Sequence, residues 1–250
     1  ATGLLALLGL TFAAVLFAVL AFQNLYGYSR AGEQPETADA GLITIGGALQ
    51  QGWDALRSGD EARAHRLGTL VLDQAPDPEA RNAARDLLAW SALARANFRE
   101  ALTHLERSEP PESARALTWA MVLEAIEEPN RASPYALRAV EVEPSETSAA
   151  LAVRVLAAAG RHTEALSVTE RFPWPRPAAR ELALGEVAYA QGAFGHAARH
   201  YQSAFEQGGA PRDAFFAGCA HARAGNRAEA LAWLGRAVEA GFDDPDQLRG

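Results

Sequence analysis

The stretch that decides the fold reads LGEVAYAQGAFGHAARHYQSA and covers residues 184–204. Its apolar residues recur at helical spacing on both sides of Gly192, which stands where a tight turn is needed. Ala197 begins the second run, and its small side chain lets the two helices approach each other closely. The stretch therefore predicts two antiparallel helices joined by a short turn.

The same arrangement occurs six times along the chain. Each second helix begins with a small residue, and these residues are Ala64, Ala101, Ala132, Ala165, Ala197 and Ala230. Their spacings are 37, 31, 33, 32 and 33 residues. The turn position is occupied in chain order by Gly59, Ala96, Glu127, Gly160, Gly192 and Gly225. Because a lone hairpin cannot bury its apolar face, neighbouring hairpins must stack. The sequence thus predicts an all-α fold with an α-solenoid.

This pattern resembles the tetratricopeptide repeat (TPR) family, whose unit is a helix–turn–helix of 34 residues. In the fifth repeat, the residues at or next to the signature positions are Leu184, Gly185, Tyr189, Gly192, Phe194, Ala197, Tyr201 and Ala204. The resemblance covers residues 44–244 and implies a right-handed superhelix with a concave groove. Its six expected units are 44–77, 78–111, 112–144, 145–177, 178–210 and 211–244.

The amino-terminal segment has a different character. Residues 1–29 carry no charge, and residues 3–22 read GLLALLGLTFAAVLFAVLAF. As a helix these would span about 30 Å, the thickness of the hydrocarbon core of a bilayer. We therefore expect a single transmembrane anchor that contacts the lipid bilayer. The alternatives are a cleaved signal peptide, which the missing positive region disfavours, and a buried helix of a soluble domain.

Several features surround this anchor. Small residues at four-residue spacing would let another transmembrane helix pack closely, and they are Gly9, Ala13, Ala14 and Ala18. The alternative is that small residues are simply common in anchors.

Residues 30–43 are predicted to be a linker, and residues 245–250 a frayed or truncated tail. Arg30 is the only basic residue close to the span, which favours a cytoplasmic position for the repeats.

In the TPR family, the first helix of each unit lines the concave groove, so the resemblance implies a set of partner-binding residues there. They are Leu49, Trp53, Arg57, Trp90, Met121, Glu124, Arg154, Glu186, Tyr189, Phe215, Cys219 and Arg223. Leu56 is a further candidate lining residue. Trp and Arg are frequent interface anchors, so we expect the first three units to hold an apolar or amphipathic segment of another protein. The alternative is that Trp53 and Trp90 pack between adjacent units.

The sequence gives no indication of catalysis. It lacks phosphate-binding glycine loops, a nucleophile elbow and paired cysteines, so we expect neither an enzyme nor a cofactor or small-molecule substrate. His196 and His200 have a spacing that could bind a metal, but no third ligand is evident, and a solvated face is the preferred interpretation. Cys219 is interpreted as a small apolar residue. The net charge of −8 argues against nucleic acid as a partner.

All 23 basic residues are arginine, which indicates a GC-rich, bacterial genome. Together these observations predict a non-catalytic scaffold that is anchored in the bacterial inner membrane and binds other proteins there. Two roles are consistent with that layout. The first is an accessory subunit of a membrane complex, and the second is a transient assembly or quality-control factor for envelope biogenesis.

Overall fold

The computed structural model describes residues 44–110 and 115–243. The expected anchor, linker and tail (residues 1–29, 30–43 and 245–250) lie outside the described residues, as do Gly9, Ala13, Ala14 and Ala18 of the expected anchor packing. Within the described part of the chain, all regular structure is helical, which confirms the all-α expectation. None of the described helices is both long and apolar enough to cross a membrane.

The described helices fall into two compact units, divided between Glu128 and Pro129. The first unit contains α1 (Ile45–Arg57), α2 (Glu61–Gln74), α3 (Pro78–Ala94), α4 (Phe98–Glu106) and α5 (Ala116–Ala125). The second contains α6 (Pro129–Val142), α7 (Glu146–Ala158), α8 (His162–Arg171), α9 (Pro177–Ala190), α10 (Phe194–Glu206), α11 (Pro211–Arg223) and α12 (Arg227–Glu239). Helices that follow one another within a unit pack together, as expected of stacked hairpins. The division separates α5 from α6, which were expected to form the third hairpin.

Local signals set where the helices begin. Asp60 and Asp77 cap α2 and α3 by accepting hydrogen bonds from the backbone nitrogens of Arg63 and Ala80, at 2.9 and 2.8 Å. Pro78, Pro177 and Pro211 lie in the first turns of α3, α9 and α11, where a missing backbone N–H costs nothing.

Left-handed backbone ends the first helix of the predicted hairpins. Gly192 has a φ of 74°, and Ala96 and Glu127, which replace glycine at this position, have φ values of 56° and 62°. The turn geometry is therefore kept even where the residue is not glycine, at a cost in backbone strain.

Small residues allow the paired helices to approach closely. The six repeat alanines were expected to begin the second helices, but each is the fourth residue of its helix, and all six are buried. In α9, a Cβ atom on Gly185 would lie 2.5 Å from Cε1 of Tyr201, which belongs to α10. One core cluster of the second unit accordingly combines buried alanines with a few large rings, among them Tyr201, Phe215 and Trp233.

Candidate partner-binding surface

The second unit brings together the predicted groove residues of its first helices. Arg154 lies on α7, Glu186 and Tyr189 lie on α9, and Cys219 and Arg223 lie on α11. All five are partly or fully accessible to solvent. We call the surface that they form, together with the neighbouring Arg176, Phe194 and Arg212, the α7–α9–α11 face. One end of it is aromatic, and the other is charged.

The aromatic end combines rings with a guanidinium group. Tyr189 and Phe194 make an edge-to-face contact with ring centroids 5.1 Å apart. The guanidinium of Arg223 lies 4.8 Å from the centroid of Phe194, within cation–π range. Burial raises the pKa of Tyr189, although the charge of Arg223 opposes that shift. The tyrosine hydroxyl therefore remains protonated and can both donate and accept a hydrogen bond.

Cys219 lies beside this aromatic end. Burial raises the pKa of its thiol to about 11. Since only the thiolate is a strong nucleophile or metal ligand, the side chain acts at neutral pH as a small apolar group.

The charged end is organised around Arg212. Burial lowers the pKa of this arginine, while the nearby carboxylates of Asp213 and Glu186 act in the opposite direction. Arg154 and Arg176 also act electrostatically on Arg212, so residues of three successive first helices lie close together. Nε of Arg176 donates a hydrogen bond of 2.9 Å to Oε1 of Glu146. The charges on this face are thus partly balanced within the chain.

Asp213 has a structural role at the start of α11. Its Oδ2 accepts a hydrogen bond of 2.9 Å from the backbone nitrogen of Ala210. Burial raises the pKa of Asp213, while Arg212 and the bond from Ala210 lower it. This side chain is buried and is not part of the accessible surface.

In the first unit, four predicted groove residues are half-buried. Leu49, Trp53 and Arg57 lie four residues apart on α1, and Arg57 forms an ion pair with Asp54. Glu124 lies on α5. The four-residue spacing places the three α1 residues along one face of that helix.

The structure places four other candidates in the core. Trp90 and Met121 are only 6% and 4% exposed, and Phe215 and Leu56 are buried as well. Nε1 of Trp90 donates a 3.1 Å hydrogen bond to Oγ1 of Thr118. These residues therefore present little surface to a partner, and for Trp90 the structure supports the packing alternative. Trp90 is buried because α3 packs against helices on several sides, so the middle of this helix has almost no free face.

The two histidines of α10 differ in environment. His196 is exposed, whereas Nδ1 of the half-buried His200 lies 2.8 Å from Oε2 of Glu181 on α9. His200 is therefore only partly solvated, because its ring contacts the neighbouring helix. In residues 44–110 and 115–243, no group of three His, Cys, Asp or Glu side chains could hold a metal ion.

Sequence reasoning missed Phe194, Arg176 and Arg212 as members of the face. Phe194 begins a second helix, and the groove prediction considered only first helices. Arg176 immediately precedes Pro177 at the start of α9, and Arg212 immediately follows Pro211 at the start of α11. A rule that selects mid-helix positions therefore omits both.

Comparison with known proteins adds no further assignment. No protein-family model matches the chain, and no curated protein has a significantly similar sequence.

Proposed function

We propose that this chain is a non-catalytic protein–protein interaction scaffold of the TPR type. In this proposal residues 3–22 anchor it in the bacterial inner membrane, and it acts as an accessory subunit of a membrane protein complex. The observation that supports the proposal most directly is the α7–α9–α11 face. Partly accessible tyrosine and arginine side chains lie together there, on rigid helices.

The composition of the face suits a polypeptide ligand. Tyrosine and arginine are enriched among residues that dominate binding energy at protein interfaces. Tyr189 offers a large, nearly rigid contact area with one polar end, and Arg223 is held over Phe194. Helices that already pack together lose little conformational entropy when a partner binds.

The charged end would contribute specificity. Arg154, Glu186 and Arg212 present both signs of charge within a small area. A partner must therefore match alternating charges, because like charges brought together at an interface are costly.

The test is affinity purification of the full chain after mild detergent extraction, followed by size exclusion and mass spectrometry. We expect a stoichiometric protein partner that is lost in Tyr189→Ala and Arg223→Ala variants and retained in a His196→Ala control. His196 is exposed on α10. A partner set that is identical in all four samples would refute the role of this face. Substoichiometric, variable partners that depend on the same residues would instead favour a transient assembly factor.

A further inference from the structure

Two histidines and an arginine surround one carboxylate in the first unit. Oε1 of Glu100 on α4 accepts a 3.0 Å hydrogen bond from Nη2 of Arg95, which lies at the end of α3. Nδ1 of His65 on α2 lies 3.6 Å from the same oxygen, and Nε2 of His104 on α4 lies 3.8 Å from it. We call these four side chains the Glu100 cluster. One carboxylate oxygen thus links residues of α2, α3 and α4.

The carboxylate of Glu100 is also held from its other side. Asn97, the cap of α4, donates a 2.6 Å hydrogen bond from Nδ2 to Oε2 of Glu100. Oδ1 of Asn97 in turn accepts a 3.4 Å hydrogen bond from the backbone nitrogen of Glu100. The residue that caps α4 therefore also fixes the carboxylate, with Oε1 directed at the cationic side chains of the cluster.

The contact with Arg95 specifies the protonation state of His65. Nη2 of Arg95 lies 3.2 Å from Nδ1 of His65. Because a guanidinium can only donate hydrogen bonds, this ring nitrogen is the acceptor and carries no proton. A protonated Nδ1 would oppose two N–H groups at that distance, and the imidazolium would have to turn to Oε1 of Glu100, which Arg95 already uses.

His104 resists protonation because it is largely covered, with a side chain only 16% exposed. Burial lowers the pKa of His104 from its usual 6.5, although the carboxylate of Glu100 opposes this shift. The positive charges of His65 and Arg107 lower the pKa further. The unfolded chain therefore binds this proton at a higher pH than the folded chain does. The stability that follows is complete above about pH 6.5 and is lost as the pH falls below that value.

No second carboxylate is paired with these histidines in the part of the chain that the structure describes. Glu61 lies one turn before His65 on α2 but forms no ion pair with it. Helices α1, α3 and α5 pack against α2 or α4 and carry further charged groups. Those with contacts outside the cluster are Asp54 and Arg57 on α1, Arg85 and Asp86 on α3, and Glu124 on α5.

We propose that the Glu100 cluster is an acid-sensitive contact, which holds α4 in the first unit at neutral pH and loosens its packing when the two histidines become protonated. At neutral pH the cluster balances one cation, Arg95, with one carboxylate, Glu100. Below about pH 6, each protonated histidine adds a positive charge that the same carboxylate must share. Helix α4 should open before its neighbours, because its nine residues make few contacts. The proposal concerns regulation of the first unit and goes beyond the partner-binding function.

The test is hydrogen exchange of the purified full chain in mild detergent, followed by mass spectrometry at about pH 7.5 and pH 5.5. Rates are corrected for the intrinsic effect of pH on exchange. We expect the protection of α4 amides to fall about threefold or more on acidification. Helix α7 is the internal reference, because it contains no histidine, and its protection should change much less. Unchanged protection of α4, or an equal fall in α4 and α7, overturns the proposal.

Substitutions in the cluster separate protonation from packing. His65→Gln keeps an acceptor for Arg95, and His104→Gln keeps a polar side chain beside Glu100, but neither glutamine can be protonated. The double variant should match the unmodified chain at pH 7.5 and lose most of the fall in α4 protection at pH 5.5. His196→Gln is the matched control, because this histidine is exposed on α10, and it should behave like the unmodified chain.

A correctly folded double variant whose α4 protection falls as much as that of the unmodified chain also overturns the proposal. If the double variant does not fold, as judged by far-UV circular dichroism at pH 7.5, the comparison of α4 with α7 in the unmodified chain decides. These outcomes do not depend on partner capture by the α7–α9–α11 face.

Discussion

Replacing Gly185 with alanine tests how closely the paired helices must approach. The added Cβ atom would lie 2.5 and 2.6 Å from Cε1 and Cδ1 of Tyr201. Tyr201 cannot turn aside easily, because it is only 5% exposed and its ring packs 5.5 Å from that of Phe216. One of the two helices must therefore shift.

The expected free-energy change is the balance of two opposing effects. Overpacking a well-filled core costs about 1–3 kcal/mol. Replacing a mid-helix glycine with alanine recovers about 0.5–1 kcal/mol through the unfolded chain. The difference between these ranges is about 0–2.5 kcal/mol, and because Tyr201 is confined we expect Gly185→Ala to lower the free energy of unfolding by about 1–2.5 kcal/mol. In a protein of this size, that corresponds to a fall in Tm of roughly 2–10 °C.

The assay is thermal unfolding of the purified full chain in mild detergent, monitored by far-UV circular dichroism. Gly195→Ala is the matched control, because a Cβ atom at that position on α10 has no neighbour within 4 Å. The control should leave Tm unchanged or raise it slightly. Adding Tyr201→Leu to Gly185→Ala should cost less than the two separate losses together, since the clash is then relieved. A Gly185→Ala variant as stable as the unmodified chain would refute the close-approach argument.

Three other changes test the turns, the buried polar contacts and the thiol. Ala96→Gly should raise the free energy of unfolding by about 0.5–1 kcal/mol in urea titration, because glycine accepts the left-handed backbone at this turn. Thr118→Val should lower it by about 1–3 kcal/mol, since it removes a hydrogen-bond acceptor from Trp90 and a donor 2.6 Å from Asp86. At pH 8, iodoacetamide should alkylate Cys219 roughly a hundredfold more slowly in the folded chain than in the urea-unfolded chain, given a pKa of about 11 instead of 9.0. Stability should also fall as the pH rises from about 9 to about 11, because the unfolded chain loses the thiol proton first.

Each of these three predictions has a control. The control for Ala96→Gly is Ala232→Gly, at an exposed position in the interior of α12, which should lower the free energy of unfolding by about 1 kcal/mol. If both Ala96→Gly and Ala232→Gly stabilised the chain, the cause would not be turn geometry. Thr103→Val should change stability by less than about 0.5 kcal/mol, because this hydroxyl only bonds the Arg99 carbonyl of its own helix at 2.9 Å. Equally fast alkylation of folded and unfolded chains would contradict the burial of Cys219.

The hairpins were predictable because their determinants are local. The offset between a turn residue and the following alanine fixes where two helices touch, and this offset is visible in one stretch of sequence. The left-handed backbone persists even at Ala96 and Glu127, where the glycine signal is missing. The turn position is thus set by the flanking helices, with glycine only lowering the strain.

The candidate binding surface was less predictable, because the exposure of a side chain depends on neighbouring helices that its position in the sequence does not reveal. The same mid-helix rule selected Trp90 on α3 and Arg154 on α7, yet one is buried and the other half-buried. Most of α3 from Ala84 to Leu93 is buried, which shows that this helix is covered on several sides. A tryptophan in such a helix contributes to stability, whatever its place in the repeat.

The division between an aromatic end and a charged end explains how one face could supply both affinity and specificity. Carboxylates of the same chain lie close to its arginines, as in the hydrogen bond from Arg176 to Glu146. A partner that exchanges those contacts for its own gains little net energy, because the ion pairs already exist. In the proposed complex, affinity would then come mainly from covering Tyr189 and Phe194, where apolar surface leaves water. The charged end would instead penalise a partner whose charges do not match those of Arg212 and Glu186.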